Sequence, residues 1–304
     1  MTRALIVGYG SIGQRHARVL QQLGCTVGLV TQQSGLGPSA WTNLRDALES
    51  FDPHYVVIAN ATGQHLLTVQ ALVEAGFAGT VMVEKPAAAD DTPWPDLCFA
   101  AVYVAYNLRF SPLLQGLRNF LLEEPALNFL AYCGQHLSTW RPGRDWRQSY
   151  STSIAEGGGV LRDLSHELDY TLWMLGPWAR LTALGGNFDA LGIQADEIWS
   201  ILLEAQSGAM GSVCINYLDR PARRRIVATT RRATYEVDFT ASTIRRNESV
   251  QHFQSDRDAT YVAMHRAALG NDPLHLCSLA EGLAVNRVIT AVEKAQRSRG
   301  WVAA

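Results

Sequence analysis

Lysine is scarce in this chain: Lys85 and Lys294 are its only lysines among 26 basic residues. Lys85 lies in GTVMVEKP (79–86), after an apolar run and before a proline that stiffens the turn. An ammonium there can donate to a reacting oxygen and tolerates a shifted pKa, whereas a guanidinium stays charged and planar. Where a cation need only be solvated the chain uses arginine, so Lys85 reads as functional. Lys294, in VEKAQRSR near the end of the last helical segment, suits a helix C-terminus instead. A second reactive set lies in GGGVLRDLSHELDY (157–170). Three glycines lead into what reads as one helix, with Asp163 and His166 on a shared face. An imidazole can take up a proton near neutral pH. The same pair also suits a capped helix with a core histidine, and the segment alone leaves both readings open.

Chemistry of this kind needs elements that hold it. RALIV (3–7) reads as a strand, Gly8-Tyr9-Gly10-Ser11-Ile12-Gly13 as a turn, and QRHARVLQQLG as a helix ending at Gly24. Strand, G-x-G-x-x-G and helix together form a dinucleotide fingerprint. Gly8 makes the tight turn, Gly10 lets a pyrophosphate approach the backbone, and Gly13 lets helix pack on strand. The first-turn N–H groups, including those of Ser11 and Ile12, then bind phosphate. The second strand, CTVGLVT (25–31), ends in Thr31-Gln32-Gln33-Ser34 with no acid to read a ribose 2′-hydroxyl. Gln32 takes that place, and Arg15 is positioned to neutralise a 2′-phosphate, so the expectation leans to NADP or dual use. YVVIAN (55–60), GTVMVEKP (79–86) and AAVYVAYN (100–107) continue the alternation, which implies a parallel, doubly wound sheet. Ligands bind at the carboxyl ends of such strands, where Gly8, Asn60, Lys85 and Asn107 all fall.

Length and composition bound the rest. A chain of 304 residues suggests roughly two domains, divided here as 1–108 and 109–304. A net charge of −2 gives no electrostatic reason to expect nucleic acid or an anionic membrane. No apolar run approaches the ~20 residues of a membrane span, and the N-terminus lacks a signal-peptide cleavage region. Five scattered cysteines without a CxxC pair argue against a disulfide framework or zinc site and fit a cytoplasmic protein.

Four motifs, GYGSIGQRH (8–16), ANATGQH (59–65), EKP (84–86) and GGGVLRDLSHELD (157–169), together resemble the glucose–fructose oxidoreductase, inositol dehydrogenase and rhizopine-catabolism family, Gfo/Idh/MocA. The resemblance spans nearly the whole chain. It implies an N-terminal Rossmann domain followed by an α+β domain with a large, mostly antiparallel sheet, often used for dimer or tetramer contacts. It further implies NAD(P)-dependent oxidation of a secondary hydroxyl of a sugar, cyclitol or sugar nucleotide, or the reverse reduction. Lys85 matches the EKP lysine; Asp163 and His166 match the later Asp and His. Many members space that pair by four residues, as D-x-G-x-H, where this chain has three. From the motifs, Thr62, His65 and Glu84 join Asn60 and Lys85 on the cofactor side, and no metal is expected.

In the second half, STWRPGRDWRQSYS (138–151) combines tryptophans that stack on sugar faces with arginines that pair with carboxylate or phosphate. Trp140, Arg144 and Trp146 are therefore expected to touch substrate, with Asn107 and Arg109 at the exit from the first domain; an oligomer contact uses the same residue types. The segment also resembles family members associated with surface polysaccharides and acylated amino sugars. From 180 onward, short alternating runs predict an antiparallel meander, with the arginines at 223–225, 231–232 and 245–246 on solvated strand edges. His166 is expected to take the hydroxyl proton, Lys85 to donate to the same oxygen, and Asp163 to orient substrate or lysine. Other readings are a non-catalytic sensor on the same fold, or a reductase of a linear tetrapyrrole or imine.

Overall fold

The computed structural model describes residues 1–140, 143, 145–254 and 256–304. They form two compact units, one of Met1–Phe110 with Asp256–Asn286, the other of Ser111–Ser255 with Arg287–Ala304. In the first, β1 (Arg3–Val7), α1 (Ser11–Gln22), β2 (Thr26–Val30), β3 (Ala40–Trp41), α2 (Leu44–Phe51), β4 (Tyr55–Ile58), α3 (His65–Glu74), β5 (Thr80–Val83) and β6 (Ala101–Val104) follow in order. Their sheet runs β6-β5-β4-β1-β2-β3, with every pair parallel. A parallel sheet must bury both faces. Ala4 and Ile6 accordingly enter one apolar cluster with Ala17, Leu20 and Met264, while Leu5 and Val7 enter another with Val56, Ile58 and Leu72. The register lines up the strand ends: Val7 lies beside Ile58, Ile58 beside Val83, and Val83 beside Val104.

The second unit is built from α4 (Pro112–Glu123), β7 (Asn128–Gly134), α5 (Val160–Asp163), α6 (His166–Leu175), β8 (Trp178–Gly186), β9 (Ile198–Ala205), β10 (Met210–Asn216), β11 (Arg223–Thr229), β12 (Thr234–Asp238), β13 (Thr243–Arg246) and β14 (Ser249–His252). The chain then returns to the first unit as α7 (Ala259–Leu269) and β15 (Cys277–Ser278), the latter antiparallel on β6. It re-enters the second unit through α8 (Leu279–Ser298) and ends with β16 (Val302–Ala303). Nothing in the sequence signals this return. The second sheet runs β14-β13-β12-β11-β7-β10-β9-β8-β16 and is antiparallel except at β7–β10. Period-two alternation gives it a buried face, with Phe129, Ala131, Trp199, Ile201 and Leu203, and an outer face on which Leu130, Leu184 and Leu202 are exposed.

Two expectations need correction. GGGVLRDLSHELDY is two helices: α5 ends at Asp163, and α6 starts at His166. Between them the ladder tightens to i→i−3 bonds, Ser165 N–H to Arg162 O and Glu167 N–H to Leu164 O. The arginine triplet is not uniformly solvated either. Alternation along β11 turns Arg224 inward, where its Nε and Nη2 donate to the fully buried Glu167 at 2.7 and 3.2 Å. Arg225 points outward to Asp238. Among the described residues no helix is long and apolar enough to cross a membrane.

Candidate active site

In the first unit the glycine turn has the shape that the fingerprint requires. Gly8, at φ +97°, packs so close to the next strand's end that a Cβ would lie 2.5 Å from Asn60 N. A Cβ on Gly13 would lie 2.0 Å from Gly8 O, whereas one on Gly10 would meet no protein atom within 4 Å. Gly10 caps α1 without a side chain, so no capping side-chain oxygen competes for the first-turn N–H groups of Ser11, Ile12 and Gly13, which suits an anionic ligand. One strand over, the Asn60 amide nitrogen donates to Thr68 Oγ1 at 2.8 Å. Its buried Oδ1 has no partner among the described residues, an acceptor suited to a ribose or carboxamide donor. Thr62 lies in the short turn Thr62–Gln64 just beyond. These residues fit a dinucleotide.

The aligned register places the Lys85 turn two strands from the glycine turn, about 10 Å along the sheet edge. Two neighbours hold it. Glu84, buried, accepts the Lys85 N–H on Oε2 at 3.0 Å, and His65 sets its ring nitrogens 3.2 and 3.3 Å from the carbonyls of Pro86 and Asn60. Burial opposes ionisation of Glu84, but the hydrogen bonds from His16 and the Lys85 main chain, with the Lys85 charge, leave its carboxyl below the ordinary range. Burial lowers the His65 pKa despite the nearby Glu84 charge. Glu84 and His65 thus shape the strand-end loops from inside rather than offering exposed contacts to a cofactor.

In the second unit Asp163 ends α5 between two phenols. Tyr150 donates to Oδ1 at 2.8 Å, and Tyr217 donates to Oδ2 at 2.6 Å. Burial and then the Asp163 charge push the Tyr217 pKa well up, so Tyr217 remains a donor. The Trp140 ring meets Tyr217 edge-on at 5.2 Å, and its Nε1 donates to Gln135 O. His166, half-buried, opens the next helix. The preceding glycines answer to protein neighbours: a Cβ on Gly158 would lie 2.1 Å from Tyr150 O, and one on Gly159, at φ +109°, 2.0 Å from Asp196 Oδ1. Asp196 in turn accepts from Leu161 N and Trp199 Nε1, which starts α5. Close packing, not only approach to a ligand, explains the glycine run. Tyr150, Tyr217 and Asp196 carry no motif that would single them out in the sequence.

Other expected residues fall as follows. Trp146 stacks under the Arg147 guanidinium at 4.6 Å, while Arg144 lies outside the described residues. Asn107 and Arg109 are buried and tied within the first unit. Asn107 donates to Thr260 Oγ1 at 2.7 Å, and Arg109 pairs with Glu281 at 2.7 Å. Those bonds secure the returning segment and weigh against direct substrate contact. Arg15 pairs with Asp258 at 3.4 Å and lies over the Tyr261 ring, so Asp258 competes with any 2′-phosphate for its charge. Gln32, exposed at the end of β2, turns its amide to the Thr42 carbonyl at 3.0 Å. Among the described residues no cluster of His, Cys, Asp and Glu could hold a metal ion.

Glycine turn, strand order and the row of strand-end residues define an NAD-binding oxidoreductase fold. Residues 2–101 match the oxidoreductase family with an NAD-binding Rossmann fold, and residues 130–245 match the GFO/IDH/MocA C-terminal domain. The chain belongs to the Gfo/Idh/MocA family of NAD-dependent oxidoreductases. No curated protein is significantly similar to it in sequence. Among solved structures, levoglucosan dehydrogenase in complex with NADH is similar at TM-score 0.84 and 16% identity, over 99% of this chain and 98% of that one. WlbA dehydrogenase from Bordetella pertussis, in complex with NADH and UDP-GlcNAcA, is similar at TM-score 0.81 and 20% identity, over 99% and 98%. UDP-N-acetylglucosamine 3-dehydrogenase GnnA from Acidithiobacillus ferrooxidans is similar at TM-score 0.78 and 19% identity, over 97% and 98%.

Proposed function

We propose that the chain is a dehydrogenase acting on a secondary hydroxyl of a sugar, cyclitol or sugar nucleotide, or on the corresponding ketone. The observation that carries this reading is the placement of Lys85, one of two lysines, on the strand-end row that begins at the glycine turn. The sugar and sugar-nucleotide dehydrogenases of the same fold support the substrate class. When bound, the nicotinamide accepts or supplies the hydride. His166 takes the hydroxyl proton, and Lys85 donates to the oxygen as negative charge develops there. Asp163, held on both oxygens by phenols, fixes the end of α5 directly before His166 and so orients the base. We propose NAD as the working cofactor, because Asp258 competes with a 2′-phosphate for Arg15. The exposed apolar face of the second sheet, with Leu130, Leu184 and Leu202, is read as the surface of a homodimer or homotetramer, checked by light scattering. The function is tested by fluorescence titration with NADH and NADPH, then turnover on a panel of sugars and nucleotide sugars. Lys85→Ala should abolish turnover and leave NADH affinity nearly intact; full turnover in that variant would refute the role of Lys85. Binding without turnover on any sugar would favour a sensor.

A further inference from the structure

We propose that His16 and His265 are positioning residues for Lys85, acting through Glu84; this rests on the reading of Lys85 as a catalytic residue. Glu84 Oε1 lies 2.8 Å from His16 Nε2, His16 Nδ1 lies 2.7 Å from His265 Nε2, and His265 Nδ1 lies 2.9 Å from the Tyr55 hydroxyl. The three side chains beyond Glu84 are 0%, 0% and 1% exposed. The chain of bonds joins α1, the start of β4 and the returning helix α7, all within the first unit. At its far end Glu84 Oε2 accepts the main-chain N–H of Lys85 itself.

The chemistry of the partners sets the direction of every bond. A carboxylate only accepts, so His16 Nε2 carries a hydrogen. With His16 neutral, its Nδ1 accepts from His265 Nε2–H, and His265 Nδ1 accepts from the Tyr55 O–H. Every donor is then used. Protonating His16 would reverse both inner bonds and leave the buried phenol hydrogen with no acceptor in the chain, a costly arrangement away from water. Burial, reinforced by His16, pushes the His265 pKa well below the ordinary histidine value, and burial pushes the Tyr55 pKa well up, so both groups stay neutral. A fully satisfied polar chain of this kind selects one geometry where apolar packing would tolerate several. Here the geometry selected is that of the residue before the catalytic lysine. Besides packing Met264 and Ala268 into the core, α7 thus supplies His265 to the chain of bonds behind the Lys85 turn.

Lysine scarcity makes the test direct. Labelling by trinitrobenzenesulfonate, read by peptide mass spectrometry, reports Lys85 and Lys294 separately, and Lys294 in α8 serves as the reference. His265→Leu should change the Lys85-to-Lys294 labelling ratio severalfold. It should also lower kcat ~10- to 100-fold on the sugar that the panel selects, with KM and NADH affinity within about twofold. His265→Gln, which keeps an N–H for His16, should restore most of both. Loosened folding alone would not distinguish Leu from Gln, and Lys294, exposed in the native fold, corrects for differences in reagent and recovery. An unchanged ratio in His265→Leu overturns the proposal. Should that variant fail to fold, Tyr55→Phe, which removes one hydroxyl, must shift the same ratio, and no shift overturns it equally. Lys85→Ala run alongside separates the two ideas: if it is fully active the catalytic reading fails, whereas the labelling ratio reports on positioning alone.

Discussion

Gly10→Ala and Gly13→Ala should behave oppositely, because the first meets only ligand space and the second meets protein. Gly10 has φ −71° and ψ −168°, a conformation any L residue adopts, and its Cβ would touch no protein atom within 4 Å. Alanine is the poorer N-cap by ~1 kcal/mol but restricts the unfolded chain by ~0.4–1 kcal/mol, so stability should change by less than about 1 kcal/mol. The methyl would instead stand where the pyrophosphate approaches the backbone. NADH should bind at least ~10-fold more weakly, about 1.4 kcal/mol. On Gly13 the Cβ would lie 2.0 Å from the Gly8 carbonyl oxygen, a backbone contact that no rotamer relieves. Shifting the turn should cost ~3 kcal/mol or more and abolish binding as well. Urea unfolding and NADH fluorescence titration measure the two effects independently. Wild-type NADH affinity in Gly10→Ala would refute the placement of the pyrophosphate, and wild-type stability in Gly13→Ala would refute the packing argument.

Two further outcomes follow from the same geometry. Tyr217→Phe removes the 2.6 Å donor to Asp163 Oδ2, a bond to a charged group worth ~1.5–3 kcal/mol; turnover should fall about tenfold or more while NADH affinity holds, and unchanged turnover would show that the phenol clamp has no part in the chemistry. Burial holds the pKa of His265, and less strongly that of His65, below its ordinary value, so the unfolded chain binds protons that the fold refuses once the pH drops under about 6.5. Their contribution to stability is complete above that pH and is lost as the pH falls below it. Urea midpoints should therefore decline between about pH 7 and pH 5, less steeply in His265→Gln, and a flat profile in the wild type would show that these imidazoles are charged in the fold.

Much of the first unit was legible in the residues. Short apolar runs alternating with helical segments predicted parallel strands with Gly8, Asn60 and Lys85 at their carboxyl ends, and the register puts those ends in line. Asp163 and His166 were legible as a pair but not as neighbours across a break, because local spacing says nothing about the phenols that hold Asp163. Asn107, Arg109 and Arg15 show the opposite limit. Each lies where a ligand contact was expected, yet each pairs with a residue of 256–286, a partner far away in sequence.

Local pattern by itself thus determined the family, the nucleotide turn and the strand-end place of Lys85, since these depend on strand–helix alternation, glycine geometry and residue type. Long-range contact alone decided which polar side chains are free to meet ligand and which are used up inside. A buried polar group must find a partner wherever the fold brings one. The partners of Glu84, Asp163, Arg109 and Arg15 come from segments that no spacing rule connects to them.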